Sequence, residues 1–141
     1  MRVAELTATG DASFCPGGDI KSWSAYPLLE SGKRWIKRGN DVFNRLRNLP
    51  QLTVANLNGH TIGGGIELAL CCDIRTARFW KKFFNPEVML GMVPGWMGIE
   101  RKPAQGLSVV GRQMLMLGKR LTAQEAQAAN LTVAMAVTGH L

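Results

Sequence analysis

The sequence predicts an α/β fold from three observations: short apolar strand-like runs alternate with segments of helical period, a glycine turn joins one such strand to an apolar helix, and a capping box opens a further helix near the end. Residues 2–8 (RVAELTA) read as a weak strand, followed by a Gly/Asp/Ser loop running to Gly18. Over residues 31–49, Trp35, Val42, Leu46 and Leu49 recur at helical spacing, with Ile36 and Phe43 widening the stripe, so an amphipathic helix is expected despite Gly32 and Gly39. Pro50 ends it.

Residues 52–57 (LTVANL) form the next strand, and the turn Asn58-Gly59-His60 leads to the Gly63-Gly64-Gly65 run and an apolar helix over 66–72. Short strands are expected at 73–77 and 82–84, then a turn-rich segment at 86–94 and a helix at 107–117. Thr122 and Glu125 have the spacing of a capping box, in which hydroxyl and carboxylate satisfy bare amides at a helix start; an Ala-rich helix follows to Ala129, and a strand is favoured at 131–137. No internal repeat or linker is visible, and at this length residues 1–141 read as one small domain or a piece of a larger one.

With 141 residues, 46% of them hydrophobic and 19% charged, the chain is neither disordered nor collagen-like. No apolar run approaches the ~20 residues of a membrane span, and the first residues lack a signal-peptide pattern, so a soluble cytoplasmic protein is expected. Cys15, Cys71 and Cys72 are odd in number and lack CxxC spacing; they read as reduced packing residues. The charge of +7 raises the question of nucleic acid, but the densest basic stretch (Lys33, Arg34, Lys37, Arg38, Arg45, Arg47) has the spacing of a solvated helix face. A phosphate-bearing ligand would benefit from the same field with fewer contacts.

Two sites place small residues where backbone N–H groups could face a ligand: Cys15-Pro16-Gly17-Gly18-Asp19 and Gly63-Gly64-Gly65. An oxygen held by two such amides gains hydrogen bonds as it becomes anionic, which is the chemistry of an oxyanion hole. The bland alternative is a pair of ordinary turns; neither is a phosphate loop, since GxxxxGK[ST] and GxGxxG are absent. Glu67 and Glu87 both stand in apolar company, where a carboxylate needs either a function or an ion-pair partner. His60, beside a glycine turn, reads as a structural hydrogen-bonder, His140 receives no role, and Asp19 and Asp73 read as turn and helix-end partners.

Three segments in order, Phe14-Cys15-Pro16-Gly17-Gly18-Asp19-Ile20-Lys21, Asn58-Gly59-His60-Thr61-Ile62-Gly63-Gly64-Gly65-Ile66-Glu67-Leu68 and Asn85-Pro86-Glu87-Val88-Met89-Leu90-Gly91-Met92-Val93-Pro94-Gly95, resemble successive signatures of the crotonase (enoyl-CoA hydratase/isomerase) superfamily. Residues 121–126 (LTAQEA) are also similar to the family's stretch near the end of its core. The resemblance implies a spiral of ββα units, here incomplete: the chain opens at what corresponds to the third strand and stops before the C-terminal helices that cover the site and join subunits into homotrimers or hexamers.

It also implies roles. The oxyanion-hole amides fall on Gly18 and Gly64, the paired acids on Glu67 and Glu87, and contacts to coenzyme A on Gly17, Gly18, Asp19, Ile20, Lys21, Gly63 and Gly64. The implied reaction is syn addition of water to a trans-2-enoyl-CoA. Glu67 would hold and activate water and Glu87 would exchange the C2 proton; no metal is called for and no cofactor beyond the CoA of the substrate. An enoyl-CoA isomerase of the same family and a non-catalytic, CoA-binding crotonase-fold fragment are the alternatives. The sequence departs from the family pattern at Met97, Glu100 and residues 102–105, and residues 80–84 (WKKFF) place two lysines in a normally milder strand.

Overall fold

The computed structural model describes residues 2–24, 26–96 and 108–136. Two four-stranded sheets form the frame, and up to the sixth strand consecutive strands go to opposite sheets. The first sheet has the order β1 (Val3–Leu6), β3 (Leu52–Leu57), β5 (Ile74–Arg78), β8 (Ala134–Ala136), all parallel. The second has β2 (Ser13–Cys15), β4 (His60–Ile62), β6 (Lys82–Phe84), β7 (Leu121–Thr122), with β6 and β7 antiparallel. Each strand pair is followed by helix, so the chain winds through three ββα turns. The expected α/β spiral is what the chain forms.

The helices follow local chemistry. Asp19 opens α1 (Ile20–Ser24) by accepting from the Lys21 and Ser22 amides, each at 3.1 Å, and from the Ser22 hydroxyl at 2.6 Å. These bonds hold its carboxyl below the usual aspartate range. The long helix predicted over 31–49 is composite: a short α2 (Leu28–Glu30) runs into a π-helical segment (Ser31–Ile36) and then α3 (Lys37–Arg47). The basic residues on it are exposed, two in i,i+4 pairs, Arg34–Glu30 at 3.3 Å and Lys37–Asp41 at 2.8 Å. Its apolar stripe is only partly covered, since Val42 and Leu49 stand exposed while Trp35, Ile36, Phe43 and Leu46 are half-buried.

The helix α4 (Gly64–Ala69) starts at the second glycine rather than at Ile66. The helices α5 (Ser108–Leu117) and α6 (Ala123–Ala128) match the sequence reading, and both bonds of the Thr122/Glu125 capping box are present. The core lies where α4, α5 and α6 meet the sheets, around Leu57, Ile66, Leu70, Phe83, Met114, Leu121 and Leu131.

Buried polar groups bind backbone. Asn58 staples the 7–12 loop through the Ala8 amide (3.2 Å) and the Ala8 (2.7 Å) and Gly10 (2.5 Å) carbonyls. Arg75 donates to the Leu131 and Cys72 carbonyls, both at 2.7 Å. Lys81, one of the two unexpected lysines, is buried with its ammonium on the Asp11 carbonyl, while Lys82 is exposed. Asp73 lies just before β5 and accepts from the Thr53 amide and hydroxyl, both at 2.8 Å. His60 accepts the Lys82 amide on Nδ1 at 3.1 Å, the structural role expected of it. His140 and the departures at 97–105 lie outside the described residues, and so does Val137 of the last expected strand. No helix among the described residues is long and apolar enough to cross a membrane.

Candidate functional site

Sheet pairing brings the two glycine turns together. Because β2 lies parallel beside β4, the turns that follow them emerge on the same edge. Gly17 has φ +110° and Gly63 φ +54°, backbone conformations that side chains disfavour. A Cβ at Gly17 would stand 3.8 Å from the Gly64 nitrogen, and one at Gly64 would stand 3.7 Å from the Gly18 nitrogen. The two amides proposed from the sequence as a pair are therefore neighbours across a narrow gap. Gly64 opens α4, where the first amides have no preceding turn to bond.

Both glutamates reach the same place. Glu67, on the first turn of α4, is 1% exposed, and its Oε1 accepts the Trp96 amide at 2.9 Å. Glu87 begins a 3₁₀ turn (Glu87–Leu90) after Pro86; its Oε1 stands 2.8 Å from where a Gly63 Cβ would be, and its buried Oε2 has no hydrogen-bond partner among the described residues. Glu87 meets no Lys or Arg in a salt bridge among the described residues, so an ion pair does not explain its apolar setting there. A buried, unpartnered carboxylate oxygen is costly unless a ligand or solvent takes it up.

These groups line one cavity of about 430 Å³. Pro16 to Ile20 form one wall, Gly63, Gly64, Glu67, Pro86 and Glu87 the floor, and Leu90 to Val93 with Trp23, Trp35, Ile36 and Trp96 the apolar remainder. Of the residues expected to bind coenzyme A, Gly17, Gly18, Asp19, Ile20, Gly63 and Gly64 line the cavity; Lys21 is exposed on α1 beside it and does not. The aromatic wall was not foreseen. Trp23, Trp35 and Trp96 are far apart in sequence, and the signal that could have disclosed Trp96 is a bulky residue directly after Pro94-Gly95. Chemically, the arrangement offers two amide donors, two carboxylates and an otherwise apolar enclosure.

The sequence profile of the enoyl-CoA hydratase/isomerase family matches residues 1–137. The chain is 36% identical over 121 residues to a short-chain-enoyl-CoA hydratase of Clostridium acetobutylicum, aligning 86% of this chain with 46% of that protein. It is likewise 36% identical over 121 residues to a crotonyl-CoA hydratase of Syntrophomonas wolfei, again 86% of this chain and 46% of the relative. Among solved structures, an enoyl-CoA hydratase from Bacillus anthracis superimposes with a TM-score of 0.90 at 30% identity, over 96% of this chain and 52% of that one. The chain thus spans about half the length of the relatives it matches. Profile, relatives and fold agree, and the chain belongs to the enoyl-CoA hydratase/isomerase family.

Proposed function

We propose that the protein hydrates a trans-2-enoyl-CoA, and the observation that carries this reading is the convergence of Gly18, Gly64, Glu67 and Glu87 on one cavity. The thioester oxygen would lie between the Gly18 and Gly64 amides, which stabilise it as C3 is attacked and charge moves onto it. Glu67 accepts the proton of a water held beside C3, making it the nucleophile; Glu87 supplies the proton that C2 takes up, and the reverse transfers give dehydration. The apolar walls exclude bulk water, so the amide dipoles act at low dielectric. Coenzyme A enters as part of the substrate, with the segment Gly18 to Lys21 beside its nucleotide. The family's homotrimeric or hexameric assembly and a cytoplasmic location are the corresponding readings for the whole protein.

The test is hydration of crotonyl-CoA, followed by loss of enoyl-thioester absorbance. Glu67→Gln and Glu87→Gln are each expected to lower kcat by ~10²–10⁴-fold with the thermal transition retained. Turnover unaffected by either change would overturn the two-glutamate mechanism, and turnover only of a 3-enoyl-CoA would assign isomerisation instead.

A further inference from the structure

We propose that Trp96 is the residue that sets acyl-chain length, closing the inner end of the cavity so that short enoyl groups are taken and long ones refused. This rests on the thioester reading above. With the thioester oxygen at the Gly18 and Gly64 amides and C3 beside Glu67, every carbon beyond C3 must pass the far side of the Glu67 carboxylate. The Trp96 amide is bonded to that carboxylate at 2.9 Å, so its side chain leaves the backbone directly beside the reacting carbons.

The indole then lies along the cavity wall against both amide-bearing glycines. Its Cζ3 lies 2.5 Å from where a Cβ at Gly64 would be, and its Cη2 lies 3.2 Å from where one at Gly18 would be. The opposite edge of the ring enters α3 at Gly39, where any Cβ would collide with Nε1. Trp35 backs the ring at 5.7 Å between centroids and Phe43 meets it edge-on at 5.3 Å. The indole N–H reaches the Trp35 carbonyl at 3.4 Å, and the preceding Gly95 carbonyl accepts from Asn40 at 3.2 Å. A ring packed on both edges can swing aside for a longer chain only by giving up these contacts. One methylene that a pocket cannot take typically changes kcat/KM by ~10–200-fold.

The experiment measures kcat/KM for crotonyl-CoA and trans-2-octenoyl-CoA, and in parallel the calorimetric Kd of butyryl-, hexanoyl-, octanoyl- and decanoyl-CoA, for wild type, Trp96→Ala and Trp96→Phe. The Phe variant keeps an aromatic ring against Trp35 in case the Ala variant does not fold. Wild type is expected to favour crotonyl- over octenoyl-CoA by ~100-fold or more, and at least one variant to narrow that ratio by ~10-fold or more, with octanoyl-CoA binding tightening in step. An unchanged chain-length profile in the folded variants overturns the role of Trp96 and leaves hydration standing. Chain-length selection in Kd that the variants relax, without turnover of either enoyl ester, upholds the role of Trp96 while the hydratase reading falls. Equal wild-type affinity for all four thioesters, or affinity for none, overturns it.

Discussion

The two glycine turns of the site present the same group, a backbone N–H, by opposite means. Gly63, Gly64 and Gly65 are buried, and the helix they open carries buried residues on most of its length. Gly18 is exposed, and the five-residue α1 that follows it buries none. The inner turn is fixed by packing: a Cβ at Gly65 would strike the Cys15 carbonyl oxygen and come within 2.8 Å of Cys15 Cβ. The outer turn is fixed by hydrogen bonds, those of the Asp19 carboxylate to Lys21 and Ser22. One donor of the pair is thus held by the core and the other by a solvent-exposed cap, so they should fail under different insults.

The largest effect belongs to the inner turn. Gly65→Ala forces the β2 and α4 backbones apart and is expected to cost about 3 kcal/mol, read as a fall in the denaturation midpoint, with activity lost alongside. In the outer turn, position decides. Gly17→Ala meets little in space, 3.4 Å to the Ile62 carbonyl, but its φ of +110° is strained for alanine, at about 1–3 kcal/mol. Gly18→Ala carries no such backbone penalty and meets only the edges of Trp96 and Trp35 at 3.2 and 3.4 Å; a loss under about 1 kcal/mol is expected. Equal losses at Gly17 and Gly18 would show that space rather than backbone conformation rules the outer turn.

The smallest effect is one of pH. Asp19 titrates below its ordinary 3.8, chiefly through the Ser22 hydroxyl and amide, so folding stability from this group is present above that value and is lost as pH falls through the lower folded value. Asp73, held down by the Thr53 amide and hydroxyl, has the same sign. Acidification below about pH 4 is therefore expected to lower the thermal midpoint of wild type slightly more than that of Asp19→Asn. Identical pH profiles for the two would remove the cap from the account of the outer turn.

Where the sequence was legible, local chemistry decided the outcome. Strand Leu52–Leu57 matches its reading to the residue because an apolar, β-branched run lies between Pro50 and Asn58-Gly59. The capping box at Thr122 is likewise a local device. The strands Ser13–Cys15 and His60–Ile62 escaped because each lies among turn-forming residues, Gly10-Asp11 and Pro16 for the first, Asn58-Gly59 and Gly63 for the second; they exist through pairing with each other and, for His60–Ile62, with Lys82–Phe84. The glycines of α4 read as a turn, yet Gly64 and Gly65 are helical, because tertiary crowding from Trp96 and Cys15 requires the absence of a side chain there and overrides poor helix propensity. The site followed the same division. Gly18, Gly64, Glu67 and Glu87 were singled out from glycine runs and misplaced carboxylates, but their convergence was supplied by family resemblance, since nothing local brings residues 18 and 87 together. The tryptophan wall depends on long-range packing, and its local marks, Trp35 on a helical stripe and a bulky residue after Pro94-Gly95, do not say that the rings meet.

Gly39 is a poor choice for the middle of a helix, at a cost of about 0.5–1 kcal/mol against alanine, and α3 keeps it because the Trp96 indole lies where its side chain would be. The two positions therefore exclude one another: in this arrangement either residue 39 carries a side chain or residue 96 keeps its indole where it is, not both. A change that adds a Cβ at 39 is tolerated only together with a smaller residue at 96 or a displaced ring.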